Sequence, residues 1–198
     1  MHPCTSKPDS TRRWSSVGGI PTLERGNDNN EMGMTLVELM VTVAILGIVM
    51  VIGVPSFRGI VDRNRIAAHT NDFLSALYLA RSEAIMRGRR VVLCKSNNGT
   101  ACATSGNWEQ GWIVFVDADG TNTVTTGDTV LRVHGQLESG DTLVGNTNVN
   151  TYISYAPSGY LLSLVGTLSV CSSSSAKNAI IINRVGRAQT DEHSATCP

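Results

Sequence analysis

The hydrophobic and polar positions divide the chain into three stretches, of which the first is an almost unbroken apolar run. It opens at Gly33, ends at Val54, and has Glu38 as its one charged residue. As a helix, about 21 such residues span roughly 30 Å, the hydrocarbon thickness of a bilayer. A carboxylate inside such a segment is costly unless it finds a partner, so Glu38 is a candidate functional residue.

The second stretch has the periodicity of an amphipathic helix. Apolar side chains recur every three or four positions, at Ile66, Phe73, Leu74, Leu77, Ala80, Ala84 and Ile85. Pro55 should kink the helix without ending it, because helical periodicity resumes after it. Gly88, just after Arg87, is a suitable C-terminal cap. The pattern therefore predicts one helix of about 50 residues, whose second half packs against a core.

From Arg89 onward, short β-type runs alternate with turn residues. The predicted strands are Arg89–Lys95, Trp112–Asp117, Thr129–His134, Tyr152–Tyr155, Gly166–Cys171, Ala179–Val185 and a short return at Arg187–Thr190. The predicted loops are Ser96–Asn107, Ala118–Asp128, Ser139–Asn150 and Ser172–Asn178. The fold class predicted is α+β, with the long helix packed on an antiparallel sheet or small β-sandwich.

Composition and charge narrow the functional classes. The formal net charge is zero, so no bulk basic field favours nucleic acid, and the 16% of charged residues suits an exported β-rich domain. Of five cysteines, Cys4 precedes the apolar run and four follow it. The chain has no CxxC sequence, and its histidines do not cluster with cysteines, so no metal site is expected. An even set of four in an exported domain indicates two disulfides, with three possible pairings.

The sequence Gly-Met-Thr-Leu-Val-Glu-Leu at 33–39, with the apolar run and Pro55 after it, resembles the class III signal of type IV pilins and type II secretion pseudopilins. The glycine, the Thr-Leu pair, the glutamate and the proline fall where that family has them. Met34 departs from the usual phenylalanine. The resemblance implies that prepilin peptidase cleaves after Gly33 and methylates the new amine of Met34.

The same resemblance implies a division of the chain and a location. Residues 1–33 would be a cytoplasmic leader, 34–54 a transmembrane and filament-core segment, 55–88 an amphipathic helix half, and 89–198 a periplasmic β-rich domain. The protein would be a single-pass inner-membrane protein until it joins a filament. There Glu38 could pair with the N-terminal amine of a neighbouring subunit, since opposite charges attract strongly in an apolar core.

Three further motifs sharpen the resemblance to the GspH/FimT branch of minor pilins and pseudopilins. They are Ala80-Arg81-Ser82-Glu83-Ala84-Ile85, the run from Trp108 to Asp117, and Ile180-Ile181-Ile182-Asn183-Arg184-x-Gly186-Arg187 before a terminal cysteine. Together with the short loop that separates the first two cysteines, this resemblance favours the pairings Cys94–Cys102 and Cys171–Cys197.

The remaining residues that could form a binding site are interpreted as structural. Trp112 and Phe115 are interpreted as core residues on a strand, and Asp117-Ala118-Asp119-Gly120 as a hairpin turn and not a calcium loop. The histidines have no obvious carboxylate partner by spacing. GxSxG, P-loop, GxGxxG and HExxH sequences are all absent, so neither enzymatic activity nor a cofactor is expected.

The leading hypothesis is a GspH/FimT-type minor pilin or pseudopilin that helps initiate or cap a type IV pilus or type II secretion pseudopilus. Its expected partners are prepilin peptidase, sister pilins and the inner membrane. The alternative is a DNA-binding minor pilin acting in DNA uptake, because some members of the branch contact DNA through a C-terminal Gly-Arg-x-Arg segment. Here Gln189 replaces the second arginine, and Arg184, Arg187 and Lys177 would supply the charge. The competing interpretation is that these arginines keep an edge strand soluble.

Overall fold

The computed structural model describes residues 33–138, 140–173 and 176–197, with the side chains of residues 55 and 56 left aside. The proposed leader, apart from Gly33, and Cys4 lie outside the described residues. The chain divides into two compact units, Met1–Val43 and Ala44–Pro198. The first contains the start of the long helix, and the second contains the rest of that helix and every strand.

Helix α1 runs over Leu36–Arg87 and continues through Pro55, as the resumed periodicity predicted. One face of its second half is buried. The buried residues on that face are Ile66, Phe73, Ala76, Leu77, Ala80 and Ala84. Ile85 is an exception to the predicted face, because it lies near the helix end and is 52% exposed. The helix ends where Gly88 adopts a φ of +60°, a left-handed conformation that favours glycine.

Eight strands follow the helix. They are β1 Arg90–Lys95, β2 Trp112–Asp117, β3 Thr129–His134, β4 Thr142–Gly145, β5 Tyr152–Tyr155, β6 Gly166–Cys171, β7 Lys177–Ile182 and β8 Ala188–Asp191, with a short 3₁₀ turn at Trp108–Gln110 before β2. They form two antiparallel four-stranded sheets. Sheet A has the order β3-β2-β1-β5, and sheet B has the order β4-β6-β7-β8. The predicted α+β class is confirmed.

Two strand predictions differ from the structure by more than one residue, while the limits of β1 and β8 differ from theirs by a single residue. The predicted loop Ser139–Asn150 contains β4, a four-residue strand that pairs with β6. Strand β7 begins two residues earlier and ends three residues earlier than predicted. It ends at Ile182 because the next five residues form a tight turn, in which the Asn183 amide donates to the Arg187 carbonyl at 3.1 Å.

The main core lies where α1 meets the inner faces of both sheets. Phe73 is fully buried and contacts two indoles edge-on, Trp108 at 5.2 Å and Trp112 at 5.1 Å between ring centroids. The Trp108 Nε1–H donates to the Val149 carbonyl at 2.9 Å. Aromatic rings packed edge to face add directional attraction to their buried area. Phe73 therefore joins α1 to sheet A, and Trp108 joins that contact to the loop after β4.

A smaller apolar cluster lies on the opposite face of sheet A. It consists of Val92, Cys94, Ile113 and Phe115, which alternate along β1 and β2 with the residues of the main core. Cys102 and Val124, from the loops after β1 and β2, pack against it. Both loops therefore cover apolar side chains that the outer face of the sheet would otherwise expose. Trp112 and Phe115 are both buried, as predicted, although in different clusters.

Candidate functional site

The start of α1 carries the residues that the sequence singled out. The Thr35 hydroxyl accepts a hydrogen bond from the Glu38 amide at 3.2 Å, and the Thr35 carbonyl accepts one from the Leu39 amide at 3.1 Å. A threonine followed three positions later by glutamate is the capping-box sequence, which satisfies otherwise free amides at a helix start. Glu38 consequently lies in the first turn of α1, where the helix dipole favours negative charge.

The apolar segment after Glu38 is exposed along its whole length. Leu46 is 56% exposed, Val51 76% and Ile52 66%, and the side chains around them are similarly open. Among the described residues, α1 is the one helix long and apolar enough to cross a membrane. Side chains of this kind require an apolar cover, which lipid or other helices of the same kind can supply.

Two disulfides lie within the described residues, and each fastens a segment over the outer face of a sheet. Cys94 of β1 is bonded to Cys102, in the loop that covers the smaller cluster of sheet A. Cys171 of β6 is bonded to Cys197, and the tail before it lies against sheet B. There the Ser169 hydroxyl accepts from the Thr196 amide at 3.0 Å. The Lys177 ammonium donates to the Ala195 carbonyl at 3.1 Å, so the tail is held from two strands.

The predicted basic cluster is only partly assembled. Arg184 and Arg187 are exposed in the turn between β7 and β8, whereas Lys177 begins β7 at its other end, about 17 Å away at 3.3 Å per residue. Lys177 therefore lies apart from the two arginines, and its part in a DNA contact stays a prediction. Gly186 shapes the turn, because its φ is +74° and an added Cβ would strike the Gly159 carbonyl oxygen.

Three carboxylates converge in the loop between β2 and β3, namely Asp117, Asp119 and Asp128, with ligand atoms within 4.8 Å of one another. All six of their oxygens accept hydrogen bonds from loop amides or hydroxyls. The Gly120 amide, for example, donates to Asp117 at 2.8 Å. The Thr125 and Thr121 hydroxyls lower the pKa of Asp119 to about 2. These contacts organise a hairpin loop, as predicted, but sequence spacing did not include Asp128.

A charged cluster between α1 and the segment before β4 was not foreseen. The fully buried carboxylate of Asp141 contacts the Arg65 guanidinium, with Nε at 2.7 Å and Nη2 at 2.9 Å, and the His69 Nε2 at 3.1 Å. The Asp141 hydrogen bond raises the pKa of Arg65. The expectation that histidines lack carboxylate partners was wrong for His69, because its partner is distant in sequence. His134 likewise lies 3.7 Å from a carboxylate of α1 and stacks on Trp112.

Comparisons with known proteins match both parts of the chain. The family model described as type II transport protein GspH matches residues 69–186, and the prokaryotic N-terminal methylation motif matches residues 29–54. A fimbrial protein of Pseudomonas aeruginosa is 36% identical over 62 residues, which are 31% of this chain and 40% of that protein. The chain thus spans two fifths of the length of the curated relatives it matches.

Solved structures with the same fold include the type IV minor pilin FimU of Pseudomonas aeruginosa. It has a TM-score of 0.52 and 20% identity, over 66% of this chain and 90% of that one. The minor pseudopilin EpsH of Vibrio cholerae has a TM-score of 0.48 and 12% identity, over 66% and 98% of the two chains. At this identity the FimU likeness shows the fold. The family matches confirm the resemblance inferred from the motifs.

Proposed function

The chain belongs to the GspH family of type II transport proteins, and from that membership we propose that it helps to initiate or cap a type IV pilus or a type II secretion pseudopilus. It acts without catalysing a reaction, by packing α1 among the helices of sister pilins. Prepilin peptidase first cleaves after Gly33 and methylates the amine of Met34. Its partners are therefore the peptidase, the sister pilins and, before assembly, the inner membrane.

One observation carries this proposal: Glu38 is the single charge in a long exposed apolar segment. Lipid covers the segment before assembly, and neighbouring helices cover it afterwards. In the filament, the cleaved chain presents a positive amine on Met34, four residues from Glu38. A carboxylate and an amine from adjacent subunits would each be costly alone in that apolar core, so their pairing favours one axial register over others.

The proposed division of the chain follows from the same argument. Residues 1–33 are the cytoplasmic leader, 34–54 the membrane and filament-core segment, and 55–88 the amphipathic half of the helix, with Pro55 at their junction allowing a bend. Residues 89–198 form the domain exported to the periplasm. The disulfides Cys94–Cys102 and Cys171–Cys197 suit that compartment, because thiols are oxidised there and kept reduced in the cytosol.

The test uses the full-length chain in cells that make its sister pilins and peptidase. Mass spectrometry of the purified protein should show an N-methylated Met34 at the mature terminus. A Glu38→Gln variant keeps the shape of the side chain but removes its charge. It should remain processed and membrane-bound, while its recovery in sheared filaments falls at least about tenfold.

The matched control is Glu83→Gln, which removes an acidic charge from the exported half of the same helix. Glu83 pairs with Arg87 one turn away, so its loss is a local change. This variant should enter filaments normally. Cleavage at a different bond, or wild-type recovery of the Glu38→Gln protein, would contradict the proposal.

A further inference from the structure

The turns of α1 that follow the apolar run carry a short apolar stripe of their own. Phe57 is 66% exposed, Ile60 57% and Val61 43%. We call these three residues the outer stripe, because they lie within about 100° of one another around the helix axis. The buried residues Ile66 and Phe73 lie roughly 170° away from the centre of the stripe. The outer stripe therefore points away from the globular domain.

Two arginines flank the outer stripe and have no acidic partner. Arg58 and Arg63 lie about 110° to either side of its centre. Among the described residues neither forms an ion pair, because the ion pairs of this part of the helix belong to Arg65, which contacts Asp62 and Asp141. The stripe thus has a cation on each side and no carboxylate on its own face.

The surroundings of Arg63 do not neutralise its charge. It lines an open cleft with Lys177, Glu192 and His193, in which the lysine and the glutamate offset each other. Arginines at the exported end of a membrane span are also unusual, since Lys and Arg accumulate on the cytoplasmic side. The two flanking arginines therefore need an anion that the described part of the chain does not supply.

The outer stripe and its arginines lie at the depth of lipid headgroups. The apolar run ends at Val54, and the headgroup layer adds about 5–8 Å to each side of the hydrocarbon core. Along α1, Arg58 lies about 6 Å beyond Val54 and Arg63 about 14 Å beyond it. Helical side chains lean toward the N-terminus, which is here the membrane side, so the long Arg63 side chain reaches back over the preceding turn.

Apolar contact and negative charge occur together at the surface of an anionic bilayer. An interfacial helix buries its apolar face at the boundary of headgroups and acyl chains, while flanking cations meet the lipid phosphates. A second copy of this chain in the same orientation would bring Arg58 and Arg63 against the same two arginines at the same height. The like charges would repel, so the arrangement favours lipid over a second copy.

We propose that the outer stripe, with Arg58 and Arg63 beside it, seats on the exported surface of the inner membrane and binds the phosphates of anionic phospholipids. This inference rests on the proposed function, which places the preceding segment in the membrane before assembly, and it extends the lipid contact beyond residue 54. Entry into a filament must break this contact. The anionic lipid content of the membrane therefore affects how readily the subunit is extracted.

Photocrosslinking in vesicles tests the contact. The full-length chain carries benzoylphenylalanine at position 61 and is reconstituted alone in phosphatidylcholine and phosphatidylglycerol at a three-to-one ratio. Adducts are identified by mass. We expect lipid adducts in which the ratio of phosphatidylglycerol to phosphatidylcholine is at least about threefold that of the vesicle.

Two further probe positions serve as references. Ile48 is 63% exposed in the middle of the apolar run, so a probe there should give lipid adducts whenever the segment is inserted. Val133 is 53% exposed on β3, where its neighbour Arg132 donates to the Ser75 hydroxyl at 2.8 Å. Ser75 lies about 32 Å beyond Val54 along α1, so a probe at position 133 should give no lipid adduct.

Charge variants identify the groups that select the lipid. Arg58→Gln with Arg63→Gln should lower the adduct ratio at position 61 at least about threefold, to that of the vesicle. Arg58→Lys with Arg63→Lys keeps both charges and should retain the enrichment. The matched control, Arg89→Gln with Arg132→Gln, removes the same charge far from the membrane and should leave the ratio unchanged.

The outcomes separate this inference from the proposed function. Lipid adducts at position 48 with none at position 61 would overturn the inference alone. So would an unchanged adduct ratio in the Arg58→Gln and Arg63→Gln chain, an adduct at position 61 with a second copy of the chain, or equal lipid adducts at position 133. Absence of lipid adducts at position 48 would overturn both the inference and the membrane stage of the proposed function.

Discussion

Replacing Phe73 tests whether the aromatic contact between α1 and sheet A stabilises the domain as the geometry indicates. Phe73 is fully buried and contacts Trp108 and Trp112 edge-on. Phe73→Ala removes the ring from a core whose other members come from α1 and from both sheets. The cavity cannot close without moving the helix, so most of the loss should remain uncompensated.

The expected magnitude follows from the two contacts and the burial. Replacing a buried phenylalanine by alanine typically costs about 3–5 kcal/mol, the cavity included, and two edge-on aromatic contacts of about 0.5–1.5 kcal/mol each place Phe73 in the upper part of that range. We therefore expect Phe73→Ala to cost about 4–5 kcal/mol, a large part of a typical net stability of about 5–15 kcal/mol. Phe73→Leu retains much of the volume and should cost about 1–3 kcal/mol.

Urea unfolding of the full-length chain in mild detergent gives the measurement. Tryptophan fluorescence is suitable because both indoles that contact Phe73 report on the same core. The matched control is Ile85→Ala, which removes a half-exposed apolar side chain from the same helix and should cost less than about 1 kcal/mol. A loss below about 1 kcal/mol for Phe73→Ala, or an equal loss for Ile85→Ala, would refute the reasoning.

Three other expectations concern the loops. Gly186→Ala should lower the free energy of unfolding by at least about 2 kcal/mol in urea titration, because its Cβ would strike a carbonyl. Gly88→Ala, which meets no described atom within 4 Å, should cost only about 1 kcal/mol of strain. The lowered pKa of Asp119 stabilises the fold above its ordinary value of 3.8, and this contribution is lost as pH falls toward 2. Thermal unfolding should therefore show a smaller acid loss for Asp119→Asn than for wild type. If the protein binds duplex DNA, log affinity should fall with log salt at a slope of about −2. Arg184→Ala with Arg187→Ala should abolish binding, whereas replacing the lysine at the other end of β7 should not. Absence of binding at low salt would leave the filament role alone.

Most of the fold could be predicted because its signals are local. Strand β2 alternates apolar residues between two buried faces and is bounded by turn residues, so its limits were predicted to the residue. Strand β4 was missed because its four residues, Thr142–Gly145, are too few to show an alternation of apolar and polar side chains. The end of β7 depends on the turn at Gly186, which packs closely against Gly159, a residue far away in sequence.

The residues of the candidate site likewise fall into those with a local signal in the sequence and those that depend on distant contacts. Glu38 was found because a charge inside an apolar run is visible in the sequence itself. The partnership of Asp141 with Arg65 and His69 was not, because it joins residues more than 70 positions apart.

The buried contact of Asp141 with Arg65 and His69 has a mechanical consequence. Turning α1 about its own axis by one residue would swing Arg65 through about 100° and leave the carboxylate buried without its partner, at a cost of several kcal/mol. The helix therefore cannot slip against the sheets at this level as a smooth apolar rod could. A torque or pull applied to α1 at Arg65 is therefore transmitted through this ion pair to the segment before β4, and the helix and the sheets move together.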